Sequence, residues 1–507
     1  SDLVQDPDMT PDPGYRNSPV DENERGGDQL PHFNTFVFSG LFVLSTVVTA
    51  SVAAQSATIE FEAGVSVPIN NPVNYSRLED VNGDGNLDIV AVVGEPGVDS
   101  ALNVSLGNGS GSFATAMASP ISVNFPWSIA IADFDEDGLV DAVVSDLINS
   151  QFSYLSGNGD GTFTMEPRLI PGWGGGNPQI LAIDVDEDGH IDLVAPDFFG
   201  SRLLVAWGTG IDDPIASFDG LTSMALSGFP LSVDVKDLDG DGDLDLCCGF
   251  NTGSGGGVAT SLATGNRTFS AEQRLIGGLT GSHWSVQAVD LDGGSPEIVT
   301  VSEADGLLGL YTLQAGIPQD PSLIPVSSSS RHLDIGDLNL DGMLDLVVRD
   351  ATSGNFQVFQ GLGGLGFVSV LEVTGPTAFP ALQLADVDED GLLDIFAADY
   401  SELTVSYYRN ATQAGVIFIR ADVNTDGSTN VADAIFLLAF LFSGGTVPGC
   451  MDASDINDDG TTNISDAITL LAVLFSGGGP TPEPVGSCGL DPTQDNLDCL
   501  NSGDSCL

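Results

Sequence analysis

Residues 131–145 read Ile-Ala-Asp-Phe-Asp-Glu-Asp-Gly-Leu-Val-Asp-Ala-Val-Val-Ser, and the stretch recurs six more times along the chain. The sister copies are LEDVNGDGNLDIVAV (78–92), AIDVDEDGHIDLVAP (182–196), VKDLDGDGDLDLCCG (235–249), AVDLDGGSPEIVTV (288–301), IGDLNLDGMLDLVVR (335–349) and LADVDEDGLLDIFAA (384–398). Each reads as an alternating strand, an Asp-rich loop and a second, apolar strand. The first loop aspartates are Asp80, Asp133, Asp184, Asp237, Asp290, Asp337 and Asp386, spaced 53, 51, 53, 53, 47 and 49 residues apart. The rest of each unit holds a hairpin turn, a third strand ending in a Gly-rich turn such as LSGNGDGTF (155–163), and a fourth strand. Four strands per unit of about fifty residues is the β-propeller blade, so seven units predict seven blades. The last unit stops after its third strand, LTVSYYRN (403–410), whereas ATIEFEAGVSV (57–67) reads as a fourth strand with no blade before it. Crossing the ring to complete blade seven would leave no open edge.

The loops follow D-x-[DN]-x-D-G-x-x-D. Oxygen ligands at positions 1, 3, 5 and 9, with Gly at 6 for the tight turn, make a cage for a hard cation, and calcium is the expected cofactor. The expected ligands are Asp80, Asn82, Asp84 and Asp88 in blade one, and Asp133, Asp135, Asp137 and Asp141 in blade two. Blade three offers Asp184, Asp186, Asp188 and Asp192, and blade four Asp237, Asp239, Asp241 and Asp245. Blade six offers Asp337, Asn339, Asp341 and Asp345, and blade seven Asp386, Asp388, Asp390 and Asp394. Blade five departs: from Asp290 and Asp292 to Glu297 it is one residue short and lacks the third acid, so a weak or empty site is expected there. A lone Asp-rich loop could be a simple Asx turn; six near-complete copies in register point to metal.

These residues resemble the FG-GAP/VCBS repeats of integrin-α-like propellers over roughly residues 57–417. The resemblance implies structural ions in loops on one face and ligand binding on the opposite face.

After Ile419 the pattern changes. Asp422, Asn424, Asp426, Ser428, Asn430 and Asp433 form a twelve-position loop, repeated 33 residues later as Asp455, Asn457, Asp459, Thr461, Asn463 and Asp466. The spacing follows EF-hand logic, with Asp replacing the bidentate Glu. Each loop leads into an apolar helix, AIFLLAFLF (434–442) or AITLLAVLF (467–475), ended by Ser-Gly-Gly. Helices so apolar must pack on each other or on a partner. Paired loop–helix units without entering helices resemble type I dockerins over about 419–479, which implies attachment to a cohesin-like partner. That family commonly carries a hydroxyl pair at loop positions 10 and 11; here these are Val431-Ala432 and Ile464-Ser465.

The expected organisation is a polar, disordered leader (1–34), a signal peptide (35–54), a propeller (55–417), a dockerin-like domain (418–478) and a Pro/Cys-rich tail (479–507). Residues 35–50 are strongly apolar and Val52-Ala53-Ala54 fits a signal-peptidase site, so the chain is expected to be secreted or held at the cell surface, with a mature N-terminus near Gln55. An uncleaved membrane anchor is the alternative. No basic residue lies just upstream, which a start codon assigned too early would explain. Cys247 and Cys248 stand where sister strands carry Val and Ala, and are expected to be buried free thiols. Cys450, Cys488, Cys499 and Cys506 could form two disulfides in any of three pairings.

Composition excludes other roles. The formal net charge is −60, from 12 Lys+Arg against 72 Asp+Glu. Such a chain repels phosphate backbones and anionic lipid, which excludes nucleic-acid and membrane-surface binding through basic patches. Aspartates number 56 against 16 glutamates, and the propeller and C-terminal loops take up 30 of the 56. The acidity is thus largely a metal-ligand inventory.

Gly361-Leu-Gly363-Gly-Leu-Gly366 matches a dinucleotide fingerprint, but it leads into a strand rather than a helix and occupies the usual Gly-rich turn. His190 sits at position 7 of a loop, where the carbonyl is the useful group. His283 and His332 begin innermost strands near the ring's mouth, and Trp127, Trp173, Trp284, Arg331 and Tyr400 map to the same presumed ligand face. Aromatics there could stack on sugars, and His, Arg and Tyr could abstract a proton beside a uronate carboxylate. The leading expectation is a non-catalytic binding or adhesion protein for an extracellular glycan or protein. A uronate polysaccharide lyase and a structural matrix component are the alternatives.

Overall fold

The computed structural model describes residues 58–486 together with Cys488 and Leu497, apart from residues 70, 96–98, 148–150, 170–175, 177–178, 212–217, 253–254, 266, 276–278, 280, 377–381, 401, 413–417 and 480. The expectations for the leader, the signal segment, Trp173, Cys499 and Cys506 lie outside the described residues.

Seven four-stranded antiparallel sheets follow one another along the chain. Blade two is typical: Pro126–Ala132, Asp141–Asp146, Gln151–Gly157 and Phe163–Leu169 pair in sequence order. The Asp-rich loop joins the first two strands. The second strand lies inside the sheet with both faces covered; all six of its residues are buried, and between its terminal aspartates it reads as a run of small and apolar residues. The expected closure is present. Val65–Pro68 pairs antiparallel with Thr404–Tyr408 in the register Val65 opposite Tyr407 and Pro68 opposite Thr404, completing the sheet of blade seven. Blade five carries a small extra hairpin, Leu313–Gln314 with Ile317–Pro318, between its third and fourth strands.

The core lies between blades rather than inside them. One apolar cluster joins Val90, Val92, Leu102 and Val104 of blade one to Ile129, Ala142, Val144 and Leu155 of blade two. Equivalent clusters fill the other six interfaces, including that between blades seven and one. Burying each such side chain contributes about 1.5–3 kcal/mol. Cys248 faces blade three and Cys247 faces blade five, both buried and unbridged, with burial pushing both thiols up.

A polar girdle runs around the ring at the innermost strands. The Asn74 amide donates to the Pro126 carbonyl (2.8 Å), Ile180 N–H to Ser128 Oγ (3.1 Å), Val233 N–H to Gln179 Oε1 (2.8 Å) and Ala288 N–H to Asp234 Oδ2 (2.7 Å). Gln287 Nε2 donates to Asp334 Oδ1 (2.7 Å), Leu384 N–H to Asp334 Oδ2 (2.7 Å) and Leu78 N–H to Gln383 Oε1 (3.0 Å). Every successive pair of blades is thereby joined once, which satisfies inner-edge groups that have no fifth strand to pair with.

Two helices follow: α1 (Val431–Ser443) and α2 (Ile464–Ser476). Asn430 and Asn463 cap them, each with a reciprocal capping box to Asp433 or Asp466, and Gly444 and Gly477 end them in left-handed conformations. They pack through Ala434, Leu437, Ala467 and Leu470, with Val423 and Ile456 from the preceding loops. Cys450 and Cys488 are each disulfide-bonded.

Candidate metal centres

Each acidic loop is wound around its own first aspartate. In blade one, Asp80 accepts from the N–H groups of Gly83 (2.8 Å) and Gly85 (2.8 Å). The position-6 contact recurs as Gly138 to Asp133, Gly189 to Asp184, Gly242 to Asp237, Gly342 to Asp337 and Gly391 to Asp386. Position 6 must be glycine because φ there is 81–96° in these loops. Position 4 is also left-handed, even where it is Glu136, Glu187, Leu340 or Glu389. Tolerating that in a side-chain-bearing residue requires a tightly determined loop.

The position-9 aspartate staples the loop to the sheet. Asp192, fully buried, accepts from Val185 N–H (2.8 Å) at the loop's start and from Gly208 N–H (2.7 Å) at the end of the third strand. Asp88, Asp141, Asp245, Asp345 and Asp394 make the same pair of contacts. Burial pushes Asp88 up, Asp141, Asp192, Asp245 and Asp345 up to about 6, and Asp394 up to about 7.

Five loops bring three carboxylates within 4.8 Å of one another. The groups are Asp133, Asp135 and Asp141; Asp184, Asp186 and Asp192; Asp237, Asp239 and Asp245; Asp290, Asp292 and Glu297; and Asp386, Asp388 and Asp394. Positions 1, 3 and 9 meet, and the position-5 acids Asp137, Asp188, Asp241 and Asp390 stand outside these groups. In three groups a buried carboxylate oxygen has no hydrogen-bond partner: Asp133 Oδ1, Asp186 Oδ1 and Asp388 Oδ1.

Blade five differs from its sequence-based reading. Glu297 stands where the other loops have their ninth-position Asp, and its Oε2 accepts from Leu291 N–H (3.0 Å) as those aspartates do. One extra methylene in the side chain makes up for one residue missing from the loop. Glu297 thus completes the three-carboxylate group, while position 5 is Gly294 and carries no acid, as the sequence indicated.

Blades one and six hold themselves together without an acid at position 3. Asn82 and Asn339 donate to Asp84 (3.1 Å) and Asp341 (3.0 Å), replacing repulsion at position 3 with a hydrogen bond. The C-terminal loops do the same, Asn424 to Asp426 (2.9 Å) and Asn457 to Asp459 (3.0 Å). They also repeat the left-handed positions, at Thr425 and Gly427 and at Asp458 and Gly460. Asp433 and Asp466 are fully buried and accept from the backbone of Asn424 and Asn457, while the Ser428 and Thr461 carbonyls accept from the Asn430 and Asn463 amides.

Strand direction puts the other candidates at the opposite end of the ring. His283 is fully buried, its Nδ1 is 3.1 Å from Thr300 Oγ1 and burial lowers it to about 4. Burial lowers His332 to about 3, helped by Arg349 and Arg331. Arg331 lies 5.0 Å over the Trp284 ring and donates twice to Glu303 (2.9 and 2.7 Å), which also accepts from Trp284 Nε1 (2.7 Å). Tyr400 donates to Glu95, and Trp127 packs on Phe125. Sequence reading overlooked three phenylalanines at this end, Phe198, Phe199 and Phe229. Phe198 is within 5.3 Å of both other rings, and Phe199 is 69% exposed. Phe198 and Phe199 in a hairpin turn and Phe229 at the start of an innermost strand, all on the non-loop end, were the available signal.

Residues 80–144, 237–300 and 337–397 match the FG-GAP-like repeat family. No curated protein matches the chain. Among solved structures, the chain is similar to BBS1N, crystallised in complex with ARL6DN, at 12% identity and a TM-score of 0.46, covering 71% of this chain and 99% of that one. It is also similar to the Pseudomonas aeruginosa periplasmic gluconolactonase PpgL (12%, TM-score 0.42, 57% and 82% covered) and to Chaetomium thermophilum Raptor (12%, TM-score 0.45, 71% and 30% covered). Such distant likenesses carry no functional argument. The chain is a mainly β, seven-bladed propeller carrying FG-GAP-like repeats, with two helices late in the sequence.

Proposed function

We propose that this is a secreted, calcium-stabilised propeller that binds an extracellular glycan or protein without catalysis and is attached to a partner through a dockerin-like C-terminal module. The observation that carries the calcium reading is the set of orphaned, buried oxygens of Asp133, Asp186 and Asp388 inside three-carboxylate groups. An unpaired buried carboxylate oxygen is costly, and an oxygen-only donor set suits a hard divalent cation. Asp80, Asp237, Asp290 and Asp337 and their loop partners would hold further ions. When bound, calcium would neutralise the clustered charge and lock each loop to its sheet.

The binding reading is supported by exposed aromatic side chains on the face away from the acidic loops. The candidate catalytic groups fit it as well: His283 is buried, and Arg331, Trp284 and Tyr400 are engaged by Glu303 and Glu95. The attachment reading is supported by a repeated apolar stripe on the two helices. Val431, Ile435 and Phe442 of α1 are exposed, as are Ile464, Ile468 and Phe475 of α2, each 33 residues further on. The test combines thermal melts with and without chelator, a glycan array and a uronate-lyase assay. A melt indifferent to chelator refutes structural calcium, and turnover lost in His283→Ala or His332→Ala refutes the non-catalytic reading.

A further inference from the structure

Among the described residues, two of the propeller's acidic loops have an arginine placed across their ligand positions. Arg267, in the turn between the third and fourth strands of blade four, reaches back to the loop of blade three. Its Nε lies 2.5 Å from Asp186 Oδ2, its Nη2 2.7 Å from Asp188 Oδ2 and its Nη1 3.5 Å from Asp219. Arg409, just after the third strand of blade seven, does the same to that blade's loop: Nε lies 2.5 Å from Asp388 Oδ2, Nη2 2.9 Å from Asp390 Oδ2 and Nη1 3.9 Å from Glu62. In both cases one guanidinium spans loop positions 3 and 5 through their Oδ2 atoms. In both, the other oxygen of the position-3 aspartate, Oδ1, is buried without a partner. The Asp388 side chain is only 9% exposed, so that oxygen is directed into the cage rather than to solvent. Among the described residues no cation pairs with Asp239 or Asp241 of blade four.

We infer that Arg267 and Arg409 act as built-in competitors for the cations of loops three and seven, so that these two sites bind a divalent ion more weakly than loop four and release it first. The inference rests on the cation reading above. Arginine supplies a fixed positive charge that the loop retains when the ion leaves. It therefore repels the incoming ion and also removes the penalty for leaving the acids uncompensated. Both effects favour the ion-free loop. Arg267 is held in place for this role: it stacks 5.0 Å over Trp207, which in turn stacks on Phe269, and these residues line one small cavity together with Asp186.

That cavity supplies the readout. Terbium bound at loop three is sensitised by Trp207, whereas Trp127 and Trp284 lie at the other end of the ring. The full-length protein, stripped by chelator, is titrated with terbium by tryptophan-sensitised luminescence and with calcium by calorimetry, in the wild type, Arg267→Gln, Arg267→Lys and Arg409→Gln. Calorimetry of the wild type resolves a tight and a weak class. Arg267→Gln shifts the Trp207-sensitised transition to roughly tenfold lower concentration, the order of effect expected from removing one positive charge beside a multivalent cation. Arg267→Lys keeps the charge, loses the fork and shifts less. Arg409→Gln tightens the weak class while leaving the Trp207 signal in place. Unchanged or weaker binding in both glutamine variants overturns the competition. Absence of ion binding in every protein overturns the cation reading itself. Circular dichroism of each variant verifies folding, and the two independent arginines keep the test decisive if one variant fails to fold.

Discussion

The sharpest prediction is that the stability conferred by calcium shrinks on acidification. Six buried ninth-position aspartates have raised pKa values, five of them at about 6 or about 7. A carboxyl whose folded pKa is raised contributes stability at low pH that is lost as pH rises through the folded value, because the folded state binds more protons than the unfolded one. Lowering the pH from about 7.5 to about 5.5 then stabilises the ion-free protein by about 0.8 kcal/mol for each aspartate at about 6 and about 1.9 kcal/mol for Asp394. The five sum to about 5 kcal/mol, and solvent screening at the loop mouths halves this to about 2–3 kcal/mol. Neutral His283, buried, and His332, half-buried, act oppositely. With folded values of about 4 and about 3 they cost about 1.3 kcal/mol each over the same interval, because the unfolded state gains the protons. The histidine contribution is common to both metal states and cancels in their difference. Calcium holds the aspartates ionised, so the loaded protein loses stability on acidification. The increment in stability conferred by calcium therefore shrinks by about 2–3 kcal/mol between the two pH values. Scanning calorimetry at both pH values, with excess calcium and with chelator, measures this directly. Parallel pH profiles in the two states would refute the assignment of these carboxylates to metal.

Removing residues 58–69 strips the strand that pairs with Thr404–Tyr408, and is expected to lower the melting temperature and to produce oligomers on size exclusion; an unaltered monomer would contradict closure by this strand. Asp334→Ala removes the acceptor for Gln287 Nε2 and Leu384 N–H, and a destabilisation of about 1–3 kcal/mol per orphaned group is expected in denaturant melts; a cost near zero would dismiss the girdle as a stabilising element. Phe442→Asp with Phe475→Asp, both at exposed positions, is expected to abolish partner capture by a cohesin while leaving the melt unchanged; capture at wild-type affinity would exclude the helix stripe. Glu297→Asp shortens the side chain in a loop already one residue short, so loss of roughly one calcium equivalent by calorimetry is expected, and full stoichiometry would deny blade five a site.

The chain's own sequence determined the architecture because the repeat is local. Each loop's turn glycine, its Asp spacing and the flanking strands lie within about fifteen residues, and backbone sterics allow that pattern few conformations. The blade count and the strand that closes the ring followed from counting units and finding one short. Tertiary structure decided what depends on the juxtaposition of blades about fifty residues apart in sequence. Reach, not residue type, lets Glu297 replace an aspartate. Gly249 and Gly256 of blade four make room for the His283 side chain, a Cβ at the first coming within 2.7 Å of its Cβ and at the second within 2.7 Å of its ring, so a histidine that looked available near the ring's mouth is enclosed. Arg267 meets Asp186 across 81 residues of chain. No local pattern encodes these contacts, because each is made by side chains whose only common property is the ring that brings them together.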